Sequence, residues 1–188
     1  MLNYKRPYKI IALGGFKGVG KDTVADILCK RPGYYKVAFA DALKDATRAI
    51  YGWLPDQESP TMKDVRDAHW GVSPRESWRD HGQGARKILR QDIWLKAFEI
   101  RVDRLLGQRW FDWARSPATI VIPDLRQHNE LDLVLEKKAR IVLIKRKNFF
   151  SDGHETEVMA NVLDSFADVV IQNDGDKRSL VKKVKCLL

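Results

Sequence analysis

A chain of 188 residues holds one α/β domain with a substantial core and is too short for two comfortable ones. With 31% charged and 44% hydrophobic residues its composition is globular, which excludes wholesale disorder. The formal net charge of +9 favours anionic partners without separating nucleotides from nucleic acid.

Met1 to Lys9 is polar and basic, and the apolar run Ile10 to Leu13 is too short for a signal-peptide core or a membrane span. A soluble, cytoplasmic protein is expected. Cys29 and Cys186 stand far apart and match no metal spacing, which agrees with a reducing compartment. Lys9 to Gly14 then reads as a short buried strand running straight into glycines. From Lys21 to Lys30, Val24, Ala25, Ile27 and Leu28 recur at helical spacing, and Pro32-Gly33 closes the element. Tyr35 to Ala40 is a second strand, followed by a helix over Asp41 to Tyr51 with Asp41 as its N-cap.

Residues 52–74 carry Pro55, Pro60, Gly71 and Pro74 among polar residues and read as a mobile connection or an insertion over a site. Helical signal resumes at Arg75, and again over Asp92 to Leu106. Thr119 to Ile122 is a third strand, stopped by Pro123-Asp124. A helix is expected over Glu130 to Lys138, strands over Arg140 to Ile144 and Ala167 to Ile171, and a last basic helix over Lys177 to Cys186. Strands without alternation, separated by helices, describe a parallel sheet of about five strands covered on both faces: a three-layer α/β sandwich. Its sites belong at the carboxyl ends of the strands.

Gly15-Phe-Lys17-Gly18-Val-Gly20-Lys21-Asp22-Thr23 satisfies the glycine and lysine positions of the P-loop pattern. Glycines let backbone N–H groups turn inward around phosphate oxygens, and the following helix points its positive end at them. Lys21 then reaches the β- and γ-phosphates of ATP. Asp22 stands where Ser or Thr usually ligates Mg²⁺, so Thr23 becomes the candidate hydroxyl for phosphate and metal, with Asp22 as a first-turn acid or a holder of a metal-bound water.

A P-loop alone does not separate a kinase from a GTPase switch or a mechanical ATPase. No Asn-Lys-x-Asp guanine signature occurs. Arg75, Arg86, Arg90, Arg126 and Arg146 are spread along the chain instead. Transfer between two phosphorylated molecules gathers negative charge that guanidinium forks neutralise and align. An acceptor phosphate is already anionic, so no general base is needed.

Gly-Lys-Asp-Thr at the P-loop, Phe39-Ala-Asp41-Ala-Leu-Lys44, Ser73-Pro-Arg75-Glu76 before Gly82-x-x-x-Arg86, Trp94 in the long helix, Ile122-Pro-Asp124-Leu-Arg126 with Asn129-Glu130, His154-Glu-Thr-Glu157 and Asn173-Asp174-Gly175 together resemble the bacteriophage deoxynucleoside monophosphate kinases. The likeness spans most of the chain. It implies a single P-loop kinase domain over 1–188, with an acceptor-binding insertion at about 52–91 and a lid at about 146–157. It implies ATP and Mg²⁺ as cofactors and a deoxynucleoside monophosphate as the small-molecule acceptor.

The same likeness puts Asp124 on Mg²⁺ (with Thr23), on its waters or on the acceptor, Arg126 on a phosphate, and Arg146 in a lid closing on ATP. Asp41, Lys44, Arg75, Arg86, Arg90 and Trp94 fall on the acceptor side, and Asn173 at the edge of the adenine. His154 to Glu157 is read as a helix cap. One or two of the six tryptophans (Trp53, Trp70, Trp78, Trp94, Trp110, Trp113) are candidates to stack on the acceptor base. Trp78 and Asp80 depart from the Leu and Gln of similar sequences, which puts the base preference in doubt.

No stable nucleic-acid partner and no membrane are expected, a homodimer is compatible with this reading, and a phage-encoded chain would work in the host cytoplasm. The alternatives are a P-loop kinase for another small acceptor (dephospho-coenzyme A or a sugar acid) and a nucleic-acid-stimulated ATPase. The latter would bind through Lys177, Arg178, Lys182, Lys183 and Lys185. A non-catalytic nucleotide-binding module is a third option, which the arginines disfavour.

Overall fold

The computed structural model describes residues 8–108, 117–147, 159 and 161–186. They fall into two compact units, Met1–Ala38 with Arg101–Leu188, and Phe39–Ile100. The expected lid at about 146–157, the His154–Glu157 cap, Trp110 and Trp113 lie wholly or mostly outside the described residues; Arg146 and Lys147 are within them.

The first unit is a five-stranded sheet in the order β2-β3-β1-β4-β5. Its strands are β1 (Lys9–Gly14), β2 (Tyr34–Lys36), β3 (Thr119–Ile122), β4 (Arg140–Lys145) and β5 (Val169–Gln172). Every pairing is parallel, with Ala12 opposite Ile122 on one side of β1 and Gly14 opposite Leu143 on the other. Alternate residues of a strand face opposite sides of a sheet. Ile11, Leu13, Val121, Val142, Ile144 and Ile171 enter one core with Val24 and Leu28 of α1 (Lys21–Leu28) and Leu180 and Val184 of the last helix, Lys177–Lys185. The intervening Ile10, Ala12, Ile120, Ile122, Ile141 and Leu143 are buried as well. Both faces are therefore covered, which is why these strands read as unbroken apolar runs. The fold is the expected α/β sandwich with a P-loop.

The second unit contains α2 (Asp41–Tyr51), α3 (Pro74–Ile88) and the start of α4 (Ile93–Gln108). Ala40, not Asp41, occupies the N-cap of α2 and makes no side-chain cap bond; Asp41 is the first helical residue, where its charge favours the helix dipole instead. Residues 52–73, within the stretch expected as a mobile connection or an insertion, form consecutive turns, with Gln57 N–H donating to the Leu54 carbonyl and Val65 N–H to that of Met62. Ion pairs Arg48–Glu58, Arg75–Asp64 and Arg66–Glu76 tie those turns to the helices. In the first unit, α5 (His128–Glu136) starts two residues before the expected position. The last helix, Lys177–Lys185, is α6 here, capped by Asp176, whose carboxylate accepts from the Ser179 N–H at 2.8 Å. Among the described residues no helix is long and apolar enough to cross a membrane.

Ser73 and Glu76 close a capping box at the start of α3: the Glu76 carboxylate accepts from Ser73 N–H at 2.8 Å, and the Ser73 hydroxyl from Glu76 N–H at 3.2 Å. The Ser73 backbone N–H first, and then the Arg66 guanidinium, hold the Glu76 carboxyl down at about 2. A depressed carboxylate contributes stability that is complete above its unfolded value and is lost as pH falls through its folded one. For Glu76→Gln, which keeps an acceptor for Ser73 but no charge, the melting temperature should therefore fall less steeply than wild type between about pH 4.5 and about 2. Identical slopes in a pH series of thermal melts would contradict the box.

Candidate functional site

Strand β1 ends in the loop Gly15–Gly20, and α1 starts at Lys21. Gly15, Gly18 and Gly20 all have positive φ, at 131°, 81° and 103°. Only glycine takes such values without strain. A Cβ on Gly15 would overlap the Ile144 carbonyl oxygen of β4, so the loop is folded against the neighbouring strand by backbone contact. Gly15→Ala should cost about 1–3 kcal/mol of stability from overpacking and weaken nucleotide binding with it. A thermal melt and a fluorescent-ATP titration both matching wild type would show that the loop does not need this shape.

Lys21 is 6% exposed, and its Nζ donates to the carbonyls of Gly15 at 2.6 Å and Phe16 at 2.7 Å. The amine is thus turned back into the loop that carries it rather than out to solvent. Thr23 is half-buried in the first turn of α1. Asp22 is exposed and pairs with Lys36 at 3.4 Å, which also holds Asp26 at 2.9 Å. Burial is the largest influence on Lys36 and opposes its charge, but hydrogen bonding to Asp26 with support from Asp22 outweighs it and raises its pKa. Asp22 is therefore a first-turn acid of α1 with a cationic partner.

Asp124 follows β3, the strand paired to β1, and is half-buried. Arg126, two residues further on, is exposed. Their turn is held from below by Glu130, which is 4% exposed and whose Oε2 accepts from Arg126 N–H at 2.8 Å and Gln127 N–H at 3.0 Å. Thr23 and Asp124 are oxygen donors of the kind Mg²⁺ takes. Such sites use one or two protein oxygens and complete the shell with water and substrate phosphates. Among the described residues no cluster of three or more His, Cys, Asp or Glu side chains could hold a metal ion by itself. Positive-φ glycines, a buried amine and these oxygens suit a nucleoside triphosphate with Mg²⁺.

On the other side of β1, β4 delivers Lys145, Arg146 and Lys147. Lys145 pairs with Asp164 at 2.7 Å, and Arg146 is exposed. The turn after β5 reaches this exit: Asn173 N–H donates to the Lys145 carbonyl at 2.7 Å, and Lys147 N–H donates to Asp174 Oδ1 at 2.6 Å. The Asn173 side chain is directed at the loop, where Nδ2 donates to the Val19 carbonyl at 2.8 Å.

The six acceptor-side candidates all belong to the second unit. Lys44 Nζ lies 5.1 Å from the ring centroid of Trp78. Trp94 Nε1 donates to the Gly82 carbonyl at 3.0 Å, joining α4 to α3. Arg86 is half-buried in the last turn of α3. Arg75 is paired to Asp64 and Arg90 to Asp92, in both cases exposed. Exposed pairs of this kind contribute little to stability, so a phosphate can displace them. Asp41 opens α2.

Two contributors escaped the sequence reading. Glu130 as the brace of Arg126 is foreshadowed by the spacing Gln127-x-x-Glu130, a capping signal. Asp174 as the anchor of Lys147 left only an Asn-Asp-Gly turn, from which a contact 27 residues away is not readable.

A profile of the deoxynucleotide monophosphate kinase family matches residues 87–184, just over half of the chain. The chain is 28% identical over 192 residues to a protein of Acanthamoeba polyphaga mimivirus provisionally named a deoxynucleotide monophosphate kinase, with 95% of each covered. Among solved structures it resembles shikimate kinase from Aquifex aeolicus at 14% identity and a TM-score of 0.47, with 94% of both chains covered. It also resembles dephospho-CoA kinase from Campylobacter jejuni at 13% identity and a TM-score of 0.46, with 96% of this chain and 95% of that one covered.

Proposed function

The chain belongs to the deoxynucleotide monophosphate kinase family, a family of phosphotransferases, and from that premise we propose that it moves the γ-phosphoryl group of ATP onto the phosphate of a deoxynucleoside monophosphate. The observation that carries this reading is the buried Lys21 inside a loop of positive-φ glycines, next to the strand that leads into the turn of Asp124 and Arg126. An acceptor phosphate oxygen forms the new bond to the γ-phosphorus. The bond from γ-phosphorus to the bridging oxygen breaks, and its electron pair leaves with ADP. No proton has to be removed from the acceptor.

The backbone N–H groups of the Gly15–Gly20 loop hold the donor phosphates, and Lys21 balances the charge that grows on them. Thr23 and Asp124 would hold Mg²⁺, which would supply neutralisation of the phosphate charge. Arg126 and Arg146, both exposed and both at strand exits, contact the transferring phosphoryl group. Lys44 and Arg86, with Asp41, Arg75, Arg90 and Trp94, receive the acceptor.

The test is a coupled assay for ADP with Mg-ATP and a panel of acceptors: the common deoxynucleoside and ribonucleoside monophosphates, dephospho-coenzyme A, sugar acids and single-stranded DNA. Turnover with at least one deoxynucleoside monophosphate, far above the rate without acceptor, is expected. Turnover confined to dephospho-coenzyme A or a sugar acid, or ATP hydrolysis stimulated only by DNA, would overturn the proposal.

A further inference from the structure

We propose that Asn173 is a positioning residue for phosphate binding: through the Val19 carbonyl it sets the direction of the Gly20 N–H, rather than touching the adenine. This rests on the reading of Gly15–Gly20 as the holder of the donor phosphates. The Val19 carbonyl and the Gly20 N–H belong to one planar trans peptide, in which the two groups point in opposite directions. A carbonyl oxygen can only accept, so the amide group turned to it is the Asn173 NH₂. That bond, at 2.8 Å, is buried, and Asn173 itself is 8% exposed. Drawing the carbonyl toward Asn173 turns the Gly20 N–H the opposite way.

Two further contacts fix the amide. Asn173 N–H is held by the Lys145 carbonyl at 2.7 Å, so its backbone cannot drift from the end of β4. A Cβ on Gly20 would lie 2.6 Å from Asn173 Nδ2, which shows how closely the amide is packed against the peptide it orients. Gly20 is also the N-cap of α1 and makes no side-chain cap bond, so the first turn receives no alternative brace from its own cap. With Asp174 holding Lys147 N–H, one turn after β5 is tied both to the phosphate loop and to the residues flanking Arg146.

The experiment measures displacement of a fluorescent ATP analogue from the whole protein by ATP, GTP and inorganic tripolyphosphate. Leaving a buried carbonyl without its donor should weaken all three about tenfold, and equally, in Asn173→Ala. Loss of ATP affinity alone would make Asn173 an adenine contact and overturn the proposal, as would no loss for any ligand. Should Asn173→Ala fail to fold, the isosteric Asn173→Asp decides. Its ionised carboxylate repels the Val19 carbonyl, whereas its protonated form donates as the amide does. Tripolyphosphate affinity relative to wild type should then recover as pH falls, and a pH-independent deficit or no deficit would overturn the proposal. Lys21→Ala in the same titration separates the two readings. If it binds tripolyphosphate as wild type does, the phosphate loop itself is misassigned; if it loses binding while Asn173→Ala does not, only the positioning role falls.

Discussion

Replacing Lys21 with alanine is expected to abolish phosphoryl transfer while the protein still folds. The ammonium is buried within the loop, held by the Gly15 and Phe16 carbonyls, and no other cation is carried by the loop at that depth: Lys17 is exposed. Removing one preorganised charge-stabilising group costs on the order of 10²–10³-fold in kcat, and in the proposed reading this one acts on the most highly charged part of the donor. The fold should survive because the loop's shape comes from its glycines and from contact with β4, and because Gly15 and Phe16 are only half-buried, so water can replace the lost donor. Turnover and a thermal melt together check this. Undiminished turnover would refute the assignment of the loop.

The second large effect is expected at Arg126. Its backbone is fixed by the buried Glu130 carboxylate, while its side chain is exposed, two residues after Asp124. A guanidinium in that position can form a bidentate contact with a phosphoryl group, and truncating it leaves the turn intact. Arg126→Ala should lose about 3–4 kcal/mol of transition-state stabilisation, read as kcat/KM, with little change in melting temperature. A change below threefold would remove Arg126 from the site.

Much of this was legible in the sequence because it rests on local rules. Thr119–Ile122 forms β3 as expected, since the apolar run Ile120-Val121-Ile122 stops at Pro123. The loop from Gly15 to Lys21 is readable for the same reason: its conformation is dictated by glycines, and their spacing is the signal. Misplaced boundaries trace to partners far away in the chain. The last strand begins at Val169 and not at Ala167 because Asp168 exchanges hydrogen bonds with Ile141, its N–H donating to the Ile141 carbonyl and its carboxylate accepting from Ile141 N–H. Helix α5 is a local exception: it starts early because Glu130 accepts from the Gln127 N–H three residues before it. Arg75 and Arg90 were legible as arginines in a promising region, but their pairing with Asp64 and Asp92 depends on how the turns between the helices fold, and residue type alone does not encode it. Asn173 shows the same limit. The turn was readable, whereas its hold on Val19 spans 154 residues of sequence.

The most direct measurement of the central claim follows the phosphorus itself. Incubating the protein with Mg-ATP and each deoxynucleoside monophosphate under ³¹P NMR should show the γ-phosphate resonance decline while the paired resonances of a deoxynucleoside diphosphate and of ADP grow together. Inorganic phosphate should stay near its starting level. Growth of inorganic phosphate in place of the deoxynucleoside diphosphate, with every monophosphate left intact, would contradict the assignment of this protein as a deoxynucleoside monophosphate kinase.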